Sequence, residues 1–192
     1  TGVEALTVRG RLGPDIDEII RQLEQAAQSG HPFDVLALTA SSYDGYIVRM
    51  EEVLPRLIEA SPSTAILIDS AWTAIHAFSR RLRPYTAFQS IAQMKESGLQ
   101  VPKIVITTSA HKSMCALRQG SLIFVANEPS VAPPLRSALF MHHTTSPSWP
   151  ILASLDLARA HAEEEGDTAV EVAVNLRNTC LLYTSPSPRD GL

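Results

Sequence analysis

Ser109-Ala110-His111-Lys112 follows the apolar run Ile104-Val105-Ile106, and Asp69 closes a second such run, Ala65-Ile66-Leu67-Ile68. A lysine where a parallel strand runs out into a loop is a poor structural choice and a good chemical one. It sets an amine at the carboxyl edge of a sheet, where α/β proteins gather their ligands. The aspartate supplies a fixed negative charge at the same edge. An amine able to form a Schiff base, with an acid for a pyridinium nitrogen, is the minimal equipment for pyridoxal phosphate (PLP) chemistry.

The elements that must position these groups are legible in the periodicity. Ile16, Ile19, Ile20, Leu23, Ala26 and Ala27 recur at helical spacing, with Asp15 as N-cap, Glu18 three residues on, and Gly30 and Pro32 as the stop. Residues 33–39 read as a buried strand opening into the polar loop 40–45, and 47–60 as an amphipathic helix bent or shortened at Pro55. A strand over 65–69, a mixed stretch over 70–85, a helix near 86–97 and strands over 103–107 and 121–125 follow. Pro133-Pro134 marks a turn before a helical piece, and 148–164 and 167–177 read as two further helices. Strands alternating with helices predict an α/β fold with a mostly parallel sheet, in a three-layer α/β/α arrangement.

In such a sheet the strand ends share one edge, so Ser41, Ser42, Asp69, Trp72, Ser109, His111 and Lys112 are expected to converge. Each also has a plainer reading. Asp69 suits the cap of a helix starting at Ser70, Trp72 the core, His111 and Lys112 a solvated surface, and the serines a turn. Cys115 is expected on a helix face as a small buried apolar residue.

Composition narrows the class. The chain has 192 residues, 45% hydrophobic and 19% charged, with a net charge of −4, which is the profile of an ordinary globular domain with a substantial core. Its longest cationic cluster is Arg80-Arg81 plus Arg83, which argues against a nucleic-acid or anionic-membrane surface. No apolar stretch approaches the ~18–20 residues needed to span a bilayer. With no signal-like pattern at Thr1-Gly2-Val3-Glu4, the cytoplasm is the expected compartment, and the start reads as a cut inside a longer chain. No metal site is expected.

Four segments resemble successive blocks of one family: Thr39-Ala40-Ser41-Ser42-Tyr43-Asp44-Gly45, Ile68-Asp69-Ser70-Ala71-Trp72, Thr108-Ser109-Ala110-His111-Lys112, and Met141-His142-His143-Thr144-Thr145-Ser146-Pro147. They are similar to the bacterial ornithine/lysine/arginine decarboxylases of the aspartate-aminotransferase-like, fold-type I PLP enzymes, over residues 30 to 160. The resemblance implies a fragment of the PLP-binding large domain. Lys112 then matches the lysine that carries the cofactor, Asp69 the acid on its ring nitrogen and Trp72 the aromatic beside it. Ser109 matches a phosphate-contacting hydroxyl, His111 a residue orienting the substrate, and Thr144, Thr145 and Ser146 a loop reaching a neighbouring subunit's phosphate. For that last loop, a helix N-cap at Ser146 and Pro147 is the plainer alternative.

The implied reaction is decarboxylation of an amino acid, a small-molecule substrate of the basic class, by a homodimer or larger assembly. Ala40 stands where the family commonly has asparagine, and Ser148-Trp149-Pro150 where an aromatic and a glycine are usual, which bears on substrate choice. The resemblance puts the family's phosphate-gripping Ser/Thr loop and ring-stacking residue upstream of Thr1, and a small domain after the chain, so the fragment alone is expected to bind PLP weakly or not at all. The other readings are an aminotransferase or lyase on the same scaffold, a hydrolase using Ser109, His111 and Asp69, and a cofactor-free binding paralogue. Against the hydrolase, no Gly-x-Ser-x-Gly turn surrounds Ser109.

Cys180-Leu-Leu-Tyr-Thr-Ser-Pro-Ser-Pro-Arg-Asp190 resembles a translated sequencing adapter. The expected organisation is therefore a partial PLP-binding large domain over 1–179 and a non-native, disordered tail over 180–192.

Overall fold

The computed structural model describes residues 2, 5–8, 11–43, 45–126 and 128–184. Asp44, inside the first polar loop, and 185–192, in the expected tail, lie outside the described residues.

Two sheets form. A hairpin pairs β1 (Ala5–Val8) with β2 (Arg11–Pro14) antiparallel. The main sheet runs β3 (Val35–Thr39), β4 (Ala65–Asp69), β5 (Ile104–Thr108), β6 (Leu122–Ala126) in that order. The first three strands are parallel and β6 is antiparallel to β5. The reversal at β6 has a physical reason. The link from β5 carries only the single-turn helix α4 (Ala110–Ser113), too little to cross back to the starting edge as a parallel partner requires.

Three helices pack on one face: α1 (Ile16–Gln28), α2 (Met50–Ala60) and α3 (Ala87–Glu96). Their apolar stripes meet Leu38, Ile66, Ile68, Ile104 and Ile106 in one core, with Met50, Leu54 and Leu57 almost wholly buried. Asp15 caps α1 as expected, its carboxylate accepting the Glu18 N–H at 3.0 Å. Gly30, with φ at 78°, supplies the left-handed residue beyond the helix end. The α2 helix starts at Met50 and keeps Pro55 inside it. Along the opposite face of the sheet, Val35 and Leu67 are exposed, so the architecture is the expected α/β with one helical layer in place.

Three expectations are corrected. Residues 133 and 134 do not turn the chain; they sit inside α5 (Glu128–His142), where the ladder loses the two N–H groups that prolines lack. The two helices expected over 148–177 are one, α6 (Trp149–Thr184). Cys115 is exposed, in a bend just past α4, rather than buried on a helix.

Gly166 explains why α6 is continuous. A Cβ there would lie 2.9 Å from the Phe78 Cβ, so the glycine marks a close approach rather than a break. Gly166→Ala gains about 1 kcal/mol of helix propensity but forces apart two groups that cannot rotate away, an overpacking of about 1–3 kcal/mol. The net expectation is a lower melting temperature, measured by circular dichroism against the unsubstituted chain.

Candidate active site

The register of the parallel strands builds the site. Thr39 pairs with Asp69, and Asp69 with Thr107, so three strand ends stand side by side. Backbone bonds continue the alignment beyond them, with the Ala40 N–H donating to the Asp69 carbonyl and the Ser70 N–H to the Thr107 carbonyl, both at 2.8 Å. The next residues on β5's strand line are Ser109 and the helix α4 that carries His111 and Lys112.

Lys112 turns back over this edge. Its Nζ lies 4.5 Å from the centroid of the Trp72 ring, a cation–π contact. Tyr43 meets the same ring edge-on at 5.4 Å. Trp72 is thus half-exposed site wall, at 41% accessibility, rather than core. The amine and the tryptophan three residues after Asp69 are brought together, as the convergence of strand ends requires.

Asp69 divides its two oxygens. Oδ1 accepts the Ala71 N–H at 2.9 Å, which closes a tight turn two residues on. No helix starts at Ser70, so the residue is no helix cap; the next helical turns begin at Ala74. The exposed carboxylate keeps its other oxygen for a ligand.

His111 is fixed by one carbonyl. Both its backbone N–H, at 3.3 Å, and its Nδ1, at 3.0 Å, approach the Gly120 oxygen. With Nδ1 donating, Nε2 is the nitrogen left to face a ligand. The same geometry removes the relay a Ser-His-Asp hydrolase needs, because Nδ1 is engaged away from Asp69. Ser109 is half-buried and its hydroxyl does not cap α4, which leaves it available.

Ser41 and Ser42 take the plainer role. Ser42 Oγ accepts the Tyr46 N–H at 3.1 Å, and Ser41 is buried in a bridge to Ile47. Thr144, Thr145 and Ser146 lie in an exposed turn between α5 and α6, where Thr144 Oγ1 accepts the Ser146 N–H at 3.2 Å. The helix N-cap falls later than Ser146, since the first backbone bond of α6 runs from Leu152 to Ser148. Among the described residues, no group of three His, Cys, Asp or Glu is placed to hold a metal, and no helix is long and apolar enough to cross a membrane.

One residue that sequence reasoning passed over is His76, in the 3-10 segment Ala74–Phe78 that packs against both α4 and α6. Burial lowers its pKa from 6.5 to about 4. The unfolded chain therefore takes up this proton before the folded one. The stability from a neutral His76 is complete above pH 6.5 and is lost as pH falls through about 4. Urea midpoints are expected to drop across that window by the equivalent of about 2–3 kcal/mol, and His76→Gln to flatten this part of the slope.

With the geometry in place, the comparisons agree on a class. The fold superposes on the lysine decarboxylase of Francisella novicida with a TM-score of 0.70 at 21% identity, covering 96% of this chain and 26% of that one. In sequence, the constitutive lysine decarboxylase of Escherichia coli is 36% identical over 148 residues, 75% of this chain and 18% of that enzyme. The inducible ornithine decarboxylase of the same organism is 27% identical over 150 residues, 74% of this chain and 20% of that enzyme. The chain thus spans about a fifth of these relatives' length. Residues 11–181 match the major domain of the Orn/Lys/Arg decarboxylases, and the chain belongs to that family.

Proposed function

We propose that this chain is the cofactor-bearing part of a PLP-dependent decarboxylase that converts a basic amino acid (ornithine, lysine or arginine) to its amine and carbon dioxide. The observation that carries the reading is Lys112 held on the face of Trp72, at the strand edge that also presents Asp69. The donor set fits the cofactor: a primary amine to hold its aldehyde carbon, a carboxylate for its ring nitrogen and a half-buried hydroxyl, Ser109, for its phosphate. Bound PLP supplies a sink for the electron pair that loss of the carboxylate leaves on the substrate Cα.

The chain's own residues do the rest. Asp69 holds a proton on the ring nitrogen through its free oxygen. Lys112 Nζ would hold the cofactor's aldehyde carbon and would be the group that hands a proton to the substrate Cα. His111, its Nδ1 tied to Gly120, presents Nε2 and a ring face for orienting the substrate. The indole of Trp72 excludes water from one side of the amine. The basic class of substrate is supported by the relatives, whose names cover lysine and ornithine. The active form is proposed to be a homodimer or larger, with Thr144, Thr145 and Ser146 on an exposed turn facing a neighbouring copy's phosphate.

Product analysis tests this reading. In the PLP-loaded protein that carries this chain, lysine, ornithine or arginine is expected to release carbon dioxide and the matching amine in equal amounts. Formation of a keto acid without carbon dioxide would move the assignment to transamination.

A further inference from the structure

Lys112 rides on a helix of one turn, Ala110–Ser113, which is too short to hold its own shape. Its amine nevertheless stays over Trp72. The residues on either side of the lysine supply the missing support, because each bonds out of the helix. His111 reaches the Gly120 carbonyl. Ser113 reaches the other way: its Oγ accepts the Ile75 N–H at 3.3 Å, across 38 positions of sequence.

The Ser113 bond has a particular target. Ile75 is the second residue of the 3-10 segment that leaves the Trp72 turn, where the Thr73 N–H donates to the Ser70 carbonyl and the His76 N–H to the Thr73 carbonyl. The piece of chain that Ser113 grips is therefore the piece that carries the indole. That segment is itself anchored on α6 through Phe78 against Gly166, and the chain just after it through the Arg80 guanidinium on Asp167. The loop holding His111 is anchored on α6 as well, where the Leu117 N–H donates to Ser154 Oγ at 3.0 Å. Lysine and tryptophan thus share one frame, and the Ser113 hydroxyl ties their two segments by a direct hydrogen bond.

We propose that Ser113 is a positioning residue for Lys112, setting the amine against Trp72 through the Ile75 N–H. The proposal rests on Lys112 as the cofactor-bearing amine, but the contact it explains exists without cofactor and is read without it. Ser113→Ala leaves the half-buried Ile75 N–H with no acceptor and lets α4 rotate. Ser113→Thr keeps the oxygen.

The chain contains three lysines, Lys95, Lys103 and Lys112, so carbon-13 labelling of lysine gives three resolvable ε-methylene signals. In the unsubstituted chain the Lys112 signal is expected upfield of the other two, under the Trp72 ring current. S113A is expected to return it to the solvent position with Lys95 and Lys103 unmoved, and S113T to keep it upfield. In the loaded protein S113A is expected to slow attachment of PLP roughly tenfold, and S113T to restore the rate. An unmoved Lys112 signal in S113A, or S113T behaving as S113A, overturns the proposal. If S113A does not fold, hydrogen exchange at the Ile75 amide of the unsubstituted chain decides instead: slow exchange supports the tie, and exchange as fast as an open amide refutes it. Failure of the functional reading is distinguishable, because PLP would then attach elsewhere while the Lys112 signal still depended on Ser113.

Discussion

Lys112→Ala is expected to abolish covalent attachment of PLP and to lower decarboxylation by roughly 10⁴-fold or more, since the substitution removes both the nucleophile and the positioned proton donor. The fold is expected to survive. Lys112 is exposed and makes no ion pair among the described residues, and its contact with Trp72 is worth only about 0.5–1 kcal/mol at such a site. Loss of function with an unchanged urea midpoint therefore separates chemistry from folding. An arginine at 112 keeps the charge over the indole and still cannot attack a carbonyl, so it is expected to fail as completely as alanine. Absorbance of the bound cofactor after gel filtration, with carbon dioxide release, measures both.

Asp69→Asn carries the second largest effect. A carboxylate at ~3 Å from a pyridinium nitrogen, at an effective dielectric of about 20, stabilises the charge by roughly 5 kcal/mol. Most of that is lost with the neutral amide, so kcat is expected to fall by roughly 10³-fold. Asparagine keeps the Oδ1 acceptor for the Ala71 N–H, and the turn that leads to Trp72 stays closed. The substitution thus removes a charge and spares the geometry. Steady-state kinetics with saturating PLP reads the loss in kcat; a variant retaining near-normal kcat would remove Asp69 from the ring-nitrogen role.

The parts of the molecule legible in the sequence are those where local rules and the fold agree. The α1 helix announced itself through Asp15 and Glu18, and the cap bond is in place. The strand ends were marked by polar residues closing apolar runs, and the register sets Thr39, Asp69 and Thr107 in a row. What the sequence concealed depends on contacts distant along the chain. Gly166 reads as a helix break until Phe78 is seen packed against it. Residues 121–125 read only as a further strand, and its direction, antiparallel to β5, appears once the short link through α4 is seen to turn the chain back. Cys115 reads as helical and buried because nothing local says that α4 ends at Ser113. Within the site, the residue types and strand positions were readable, whereas the roles of Ser113 and Gly120 were not. Ser113 acts through the Ile75 N–H and Gly120 through a carbonyl that takes both His111 donors, and only the folded chain brings these partners together.

The most direct test is borohydride reduction of the PLP-loaded protein that carries this chain, followed by digestion and mass spectrometry. A single pyridoxyl group on the peptide holding Ser109-Ala110-His111-Lys112, localised to Lys112, is the predicted result. A pyridoxyl group fixed to Lys95 or Lys103 with Lys112 unmodified would contradict it.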